Sequence, residues 1–230
     1  RQGPAASRSR VSTGSSALLC HLAAPATRAA SEAQLFDSAA ARARVEATIA
    51  QPQPGPRAAA DGLLDRFIER ALAMISTVDR CATEAEVPAH CADWLRGQGL
   101  PTTLVAAPAL ATLDWAGAGL DARIGAATGD DLVGVTGCFR AIAETGTLML
   151  CSGPQSPAVN SLLPETHIAV VPRQHIVADM EAAWADARRE LAPWPRAVNF
   201  VSGPSRTADI EQTIVLGAHG PYRVHLLIVG

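Results

Sequence analysis

His167-Ile-Ala-Val-Val171 is a continuous apolar run rich in β-branched residues, which is typical of a strand buried on both faces of a sheet. Similar runs follow at 198–202 and 224–229. Between these runs, the segments 175–191 and 207–216 carry apolar residues at helical spacing. Strands that alternate with helices predict an α/β fold class: a mostly parallel sheet with helices on both faces.

The earlier part of the chain continues this pattern. Further strands are predicted at 102–106, 131–135 and 147–151, an amphipathic helix at 63–75, and a second helix that begins with the capping box of Thr83 and Glu86. Ligands of parallel sheets bind outside the carboxyl ends of the strands. The loops after the predicted strands are therefore the expected site, and they follow Val135, Cys151, Val171 and Val201.

The N-terminal part of the chain is organised differently. Residues 1–30 contain four arginines and no acidic residue, a composition that faintly resembles a signal or transit peptide. We expect this segment to be a disordered or adventitious extension. A helix-prone stretch follows, and three prolines between 51 and 56 end it. The sequence thus predicts an N-terminal helix and a Pro-rich linker over 31–56, and one α/β domain over 57–230.

Composition excludes several classes of protein. The formal net charge is -3 over 230 residues, so no basic surface indicates nucleic-acid binding. All 19 basic residues are arginine, which excludes a lysine Schiff base, a pyridoxal-phosphate lysine and a Walker-A lysine. No apolar run approaches the roughly 20 residues of a membrane span.

The cysteines indicate a reduced protein. There are five, an odd number, and no two have C-x-x-C spacing. This pattern argues against a disulfide framework, a structural zinc and an iron–sulfur cluster in this chain. The histidines are too scattered to indicate a metal site. We therefore expect no metal and no cofactor in this chain, and a cytoplasmic location.

One junction predicts anion binding. The strand at 198–202 runs into Ser202-Gly203-Pro204-Ser205-Arg206-Thr207, and a helix is predicted to start there. Free N–H groups at a helix start attract anions, and the fork of Arg206 suits carboxylate or phosphate. The alternative is that Ser205 or Thr207 is only an N-cap.

A second segment places a carboxylate beside a turn at a glycine. A short helical turn at 140–143 is expected to deliver Glu144 and Thr145 to Gly146, where a strand starts at Thr147. A carboxylate at such a corner can act as acid, base or nucleophile. It can equally form a local cap or pair, and the residues alone leave both interpretations open.

Two histidines complete the candidates. Glu165 and His167 alternate at the start of a strand and are expected to share one side of it, where they could transfer a proton; a structural histidine is the alternative. His219 lies between Gly217 and Pro221, in a turn that either is simply tight and exposed or contributes to the anion site.

Four separated segments resemble the LUD-domain family: residues 143–147, 163–167, 202–211 and 216–221. The resemblance extends over about residues 49–229. It implies a fold like that of the NagB/RpiA/CoA-transferase group. It also implies a component of an L-lactate utilisation system that acts with iron–sulfur partner proteins in the oxidation of L-lactate to pyruvate. Any iron–sulfur clusters are then expected on the partner chains.

Three hypotheses follow. In the first, the loops at 144–147, 165–167 and 202–207 form one crevice for a small carboxylate or phosphate. Glu144, Glu165 or His167 then transfers protons. In the second, the chain is a free-standing sugar-phosphate isomerase or CoA-transferase-like enzyme that uses Glu144. In the third, it is a non-catalytic assembly subunit whose N-terminal arm, 31–50, holds a cluster-bearing partner.

Overall fold

A computed structural model describes residues 38–50, 61–210 and 213–230. The chain divides into two units, residues 1–55 and 56–230. In the first unit the structure describes one helix, α1 (Ser38–Ala50), within the predicted N-terminal helix. The predicted extension at 1–30 and the Pro-rich linker at 51–56 lie outside the described residues.

The second unit contains three α-helices and twelve strands within the described residues. The helices are α2 (Leu63–Ala73), α3 (Val87–Gly97) and α4 (Met180–Glu190). The strands are β1 (Thr77–Cys81), β2 (Thr103–Ala106), β3 (Asp121–Ile124), β4 (Val133–Thr136), β5 (Arg140–Ile142), β6 (Thr147–Cys151), β7 (Thr166–Pro172), β8 (Ile176–Val177), β9 (Val198–Val201), β10 (Arg206–Ile210), β11 (Thr213–Leu216) and β12 (Arg223–Val229).

Six strands form a central sheet in the order β1-β12-β7-β4-β2-β3. Every neighbouring pair in it is parallel. A second sheet has the order β8-β5-β6-β9; β6 is antiparallel to both β5 and β9, and β8 is parallel to β5. β10 and β11 form a separate antiparallel hairpin.

The sheets and helices stack in layers. On one face of the central sheet, α3 packs through Val87, Cys91 and Leu95 against strand residues such as Ile168 and Leu227. On the opposite face lie α2 and the inner face of the second sheet. α4 covers the outer face of the second sheet. The predicted α/β class, with a mostly parallel sheet and helices on both faces, is confirmed.

Arg140 on β5 joins the second sheet to α4. Its side chain is only 11% exposed, and its Nε donates to Asp186 Oδ2 over 2.6 Å. Its Nη2 also donates to the Glu190 carboxylate over 2.5 Å. The hydrogen bond from Arg140 lowers the pKa of Asp186 because it stabilises the charged carboxylate.

Two predicted helical segments are wrong. The segment predicted as a helix at 207–216 is the β10–β11 hairpin, and the helical turn predicted at 140–143 is β5. Thr213, Ile214 and Val215 are consecutive β-branched residues, whose restricted χ1 favours a strand over a helix. The helix predicted at 175–191 is α4, but it begins only at Met180, after β8.

The end of α2 predicts a stabilising substitution. Ser76 N donates to Ala71 O over 3.0 Å and Ile75 N donates to Leu72 O over 2.9 Å, which is the Schellman pattern that usually places glycine after the helix. Here Ile75 has φ 66° and is 55% exposed. We expect Ile75→Gly to raise the free energy of unfolding by about 1 kcal/mol, since a left-handed β-branched residue is strained.

Urea unfolding measures this change. Ile75→Ala is the matched control, because alanine keeps the Cβ that causes the strain and should give little or none of the gain. Equal stability of the glycine and alanine variants would show that the backbone at residue 75 is not strained.

Candidate functional site

The candidate residues gather at one edge of the central sheet. β1, β7 and β12 are parallel, so their first residues lie at the same edge, which we call the amino edge. Glu165 directly precedes β7, and its carbonyl oxygen accepts hydrogen bonds from the N–H groups of Tyr222, at 2.7 Å, and Arg223, at 3.0 Å. The loop before β12 is therefore fixed beside the start of β7.

The segment 202–206 crosses this same edge. Ser205 N donates to Pro221 O, and Gly217 N donates to Ser205 O, both over 2.9 Å. Gly203 has φ 74°, and a Cβ there would overlap the carbonyl oxygen of Met74, just before β1. Only a residue without a side chain fits this close approach.

This placement corrects two expectations. The anion site was predicted at a helix start, but residues 206–210 are a strand, so no helix dipole contributes there. The segment was also predicted among loops at the carboxyl ends of the strands. It lies at the amino edge because β9 belongs to the second sheet and is antiparallel to β6.

Three hydroxyl groups meet where the second sheet reaches the amino edge. Thr145 Oγ1 donates to Thr147 Oγ1 over 2.7 Å, and Thr147 Oγ1 lies 2.6 Å from Ser202 Oγ. Thr147 is buried, whereas Thr145 and Ser202 are exposed. The structure therefore brings together two of the predicted segments, the corner at 144–147 and the turn at 202–207.

A cleft of about 520 Å³ lies beside the segment 202–206. We call it the amino-edge cleft. It contains two of the predicted site residues, Glu165 and His219. Its complete lining within the described residues is Leu162, Leu163, Glu165, Leu216, Gly217, Ala218, His219, Gly220 and Tyr222.

The charges around the cleft are mixed. Arg206 is exposed, and its guanidinium donates to Met74 Sδ over 3.6 Å. The Arg223 guanidinium lies 4.9 Å from the centre of the Tyr222 ring. Glu165 and His219 are both exposed. The lining itself thus contains one imidazole and one carboxylate, while Arg223 lies against the lining ring of Tyr222 and Arg206 pairs in register with the lining residue Leu216.

His167 does not share a surface with Glu165. It is fully buried, and its Nε2 lies 2.8 Å from Thr136 Oγ1. Its Nδ1 has no hydrogen-bond partner among the described residues. Burial lowers the pKa of His167 to about 4, so the ring is neutral at neutral pH. In this arrangement solvent and ligand do not reach the ring, and its predicted catalytic role has no support from the geometry.

Glu144 is half-buried at the turn between β5 and β6. Its N–H donates to Ala178 O over 3.0 Å, while its carboxylate has no hydrogen bond or ion pair with the described part of the chain. Gly146 follows it with φ 67°. The role of Glu144 as acid, base or nucleophile stays a prediction.

Sequence reasoning missed the apolar side of the cleft. Leu163 and Tyr222 are 54% and 45% exposed, so they present apolar surface to the cleft. The available signal was their position, each within three residues of a strand start. Among the described residues, no group of three or more His, Cys, Asp or Glu side chains is arranged to hold a metal ion.

None of the described helices is both long and apolar enough to cross a bilayer.

The layers and the cleft define an α/β protein with a six-stranded parallel sheet and a candidate site at its amino edge. A family model, described as LUD domain, matches residues 64–229. The chain therefore belongs to the LUD-domain family.

Curated relatives match a shorter stretch. The chain is 40% identical to "Lactate utilization protein C" of Bacillus licheniformis over 100 residues. This stretch is 42% of the length of either chain. The chain is also 39% identical over 100 residues to the protein of the same name from Bacillus subtilis, again 42% of either chain. The match thus spans about two fifths of the length of these relatives.

A solved structure covers more of the chain. The crystal structure of a duf162 family protein from Deinococcus radiodurans superposes with a TM-score of 0.55 at 27% identity. The match covers 73% of this chain and 96% of that chain. It therefore includes most of the described second unit.

Proposed function

We propose that this protein is a component of an L-lactate utilisation system. The observation that carries the proposal is its membership of the LUD-domain family, together with relatives named for lactate utilisation at about 40% identity. In this proposal the chain acts with iron–sulfur partner proteins when L-lactate is oxidised to pyruvate. The absence of any C-x-x-C pair from the sequence is in keeping with clusters on other chains.

The amino-edge cleft is the proposed ligand site for a small carboxylate or phosphate. Three features support it: Arg206 pairs in strand register with the lining residue Leu216, the imidazole of His219 is in the lining, and the glycines of the 217–220 loop let an anion approach the backbone. Glu165 and His219 are groups in the lining able to exchange a proton with the ligand.

Reconstitution tests the proposed function. Lactate-dependent reduction of a dye would be measured for the iron–sulfur partner proteins with and without this chain. We expect the rate to fall at least tenfold when the chain is left out. An equal rate in both mixtures would contradict a role in lactate oxidation.

Arg206 is expected to dominate anion affinity. We expect Arg206→Ala to weaken binding of lactate, pyruvate or a sugar phosphate at least tenfold, because the fixed cation is lost from the cleft. The fold should survive, since Arg206 is exposed. Titration calorimetry measures the affinity, and circular dichroism checks the fold.

Arg188→Ala is the matched control. Arg188 is exposed on α4, away from the cleft lining, so its removal changes the net charge by the same amount. Equal weakening by both substitutions would indicate general electrostatics, and unchanged affinity in Arg206→Ala would exclude this residue from the site.

A further inference from the structure

A second cavity, of about 620 Å³, lies at the other end of the second sheet. We call it the Trp194 cavity. One wall is the loop that follows β6, and the other is the segment between α4 and β9. Its lining within the described residues is Cys151, Ser152, Gly153, Pro154, Gln155, Ser156, Pro157, Ala158, Leu191, Pro193, Trp194, Pro195 and Arg196.

Hydrogen bonds fix the two walls in place. Ser152 N donates to Ala197 O over 2.9 Å, and Ala197 N donates to Ser152 Oγ over 2.8 Å. Gly153 and Ser156 exchange two backbone hydrogen bonds of 3.0 Å, and Gln155 O accepts from Ala109 N over 3.1 Å. Four of the lining residues are prolines, whose φ is fixed. The cavity is therefore largely preformed, as small-molecule sites usually are.

The lining combines an apolar interior with one cation. Trp194 is 54% exposed although it is the largest side chain in the wall. Arg196 forms no hydrogen bond or ion pair within the described residues. An exposed indole prefers a flat apolar partner, and a guanidinium without a partner prefers carboxylate or phosphate.

We propose that the Trp194 cavity binds a small planar aromatic acid. The ring of the ligand lies against Trp194 and the prolines, and its anionic group pairs with Arg196. The volume lies within the range of about 300–1,000 Å³ found for small-molecule pockets. This site is separate from the amino-edge cleft, because the two lie at opposite ends of β6 and β9.

Matched ligand pairs test the proposal by titration calorimetry on the full chain. The first pair is 2-naphthoate and its neutral amide, and the second is AMP and adenosine, so the arms separate a carboxylate from a phosphate. We expect at least one acid to bind at least tenfold more tightly than its neutral partner. If neither acid exceeds its neutral partner, the proposal is wrong.

Three variants locate the binding. Arg196→Gln should weaken the acid at least tenfold and leave the neutral ligand unchanged, whereas Trp194→Ala should weaken both. Arg188→Gln should leave both affinities unchanged. Acid affinity that is the same in Arg196→Gln as in the wild type would overturn the assignment.

Cys151 supplies an independent readout, because its thiol lines the cavity. Alkylation would be mapped by mass spectrometry at alkaline pH, since burial raises the pKa of this thiol. The bound acid should slow alkylation of Cys151 at least fivefold. Full reactivity of Cys151 at saturating ligand would place the ligand elsewhere.

Discussion

Gly146→Ala should lower the free energy of unfolding by about 3 kcal/mol or more, the sum of a left-handed backbone cost and an overpacking cost. Gly146 has φ 67°. A Cβ there would collide with the backbone of α2 at Arg70 and Ala71. Ala71 is itself fully buried in the core between α2 and the second sheet, so the helix backbone cannot move aside cheaply. Urea unfolding followed by circular dichroism measures the loss.

Gly99→Ala separates the two parts of this cost. Gly99 has nearly the same φ, 66°, but nothing lies within 4 Å of a Cβ built there. It should therefore lose only the backbone part, about 1 kcal/mol. Equal losses in Gly146→Ala and Gly99→Ala would show that the corner at 144–147 does not press against α2.

Stability should fall steeply in mild acid. The pKa of His167 is lowered to about 4 and that of His225 to about 3, in both cases chiefly because burial disfavours the charged ring. Both values lie below the usual value of about 6.5. The unfolded chain therefore binds protons that the folded chain does not, so stability present above about pH 6.5 is lost as the pH falls towards about pH 4.

The expected loss is about 2 kcal/mol for each histidine between about pH 7 and pH 5. His225 stacks on Trp94, with 4.4 Å between ring centroids. Its Nε2 lies 3.7 Å from Asp79 Oδ2, too far for a hydrogen bond that would favour the charged ring. Burial also outweighs the hydrogen bond with Thr77, which by itself would raise the pKa of His225.

Urea unfolding at a series of pH values measures the effect. His167→Gln is the informative variant, because glutamine does not titrate and keeps a polar group near Thr136. It should lose roughly half of the acid dependence, whatever its own stability. An acid dependence that equals that of the wild type would mean that His167 is protonated in the folded protein.

Four strands of the central sheet, β2, β4, β7 and β12, could be predicted because they contain apolar runs, whereas β1 and β3 are largely polar and were not predicted. β7 and β12 are buried along nearly their whole lengths, and burial on both faces of a parallel sheet produces such runs. β6 has the same appearance in the sequence but belongs to the second sheet. The inner residues of β6 pack in the layer that contains α2, and its outer residue Met149 packs against α4. The apolar run alone therefore could not show to which sheet β6 belongs.

β5 could not be recognised because it is only three residues long and the ion pairs that hold it against α4 are distant in sequence. Arg140 pairs with Asp186 and Glu190, 46 and 50 residues later, and no local pattern contains that information. The β10–β11 hairpin was missed for a different reason. Ala208, Ile210, Ile214 and Leu216 fit a helical spacing, while the consecutive β-branched residues at 213–215 favour a strand, and the local sequence alone does not decide between the two.

The turns of the candidate site could be predicted from the sequence, but the edge of the central sheet at which they lie could not. Glycines at 146, 203 and 217 all have positive φ, so glycine-rich turns were correctly identified as special positions. Which edge they occupy depends on the antiparallel pairing of β6 and β9, and that pairing is a tertiary property.

Binding of L-lactate in the amino-edge cleft can be measured residue by residue. A titration of the isotope-labelled chain, 23.8 kDa in mass, with L-lactate tests this directly through backbone amide chemical shifts. We predict the largest changes at residues 203–206 and 217–222, with smaller changes around Glu165. Changes confined to the carboxyl-end loops of the central sheet, or no changes at saturating lactate, would contradict the account.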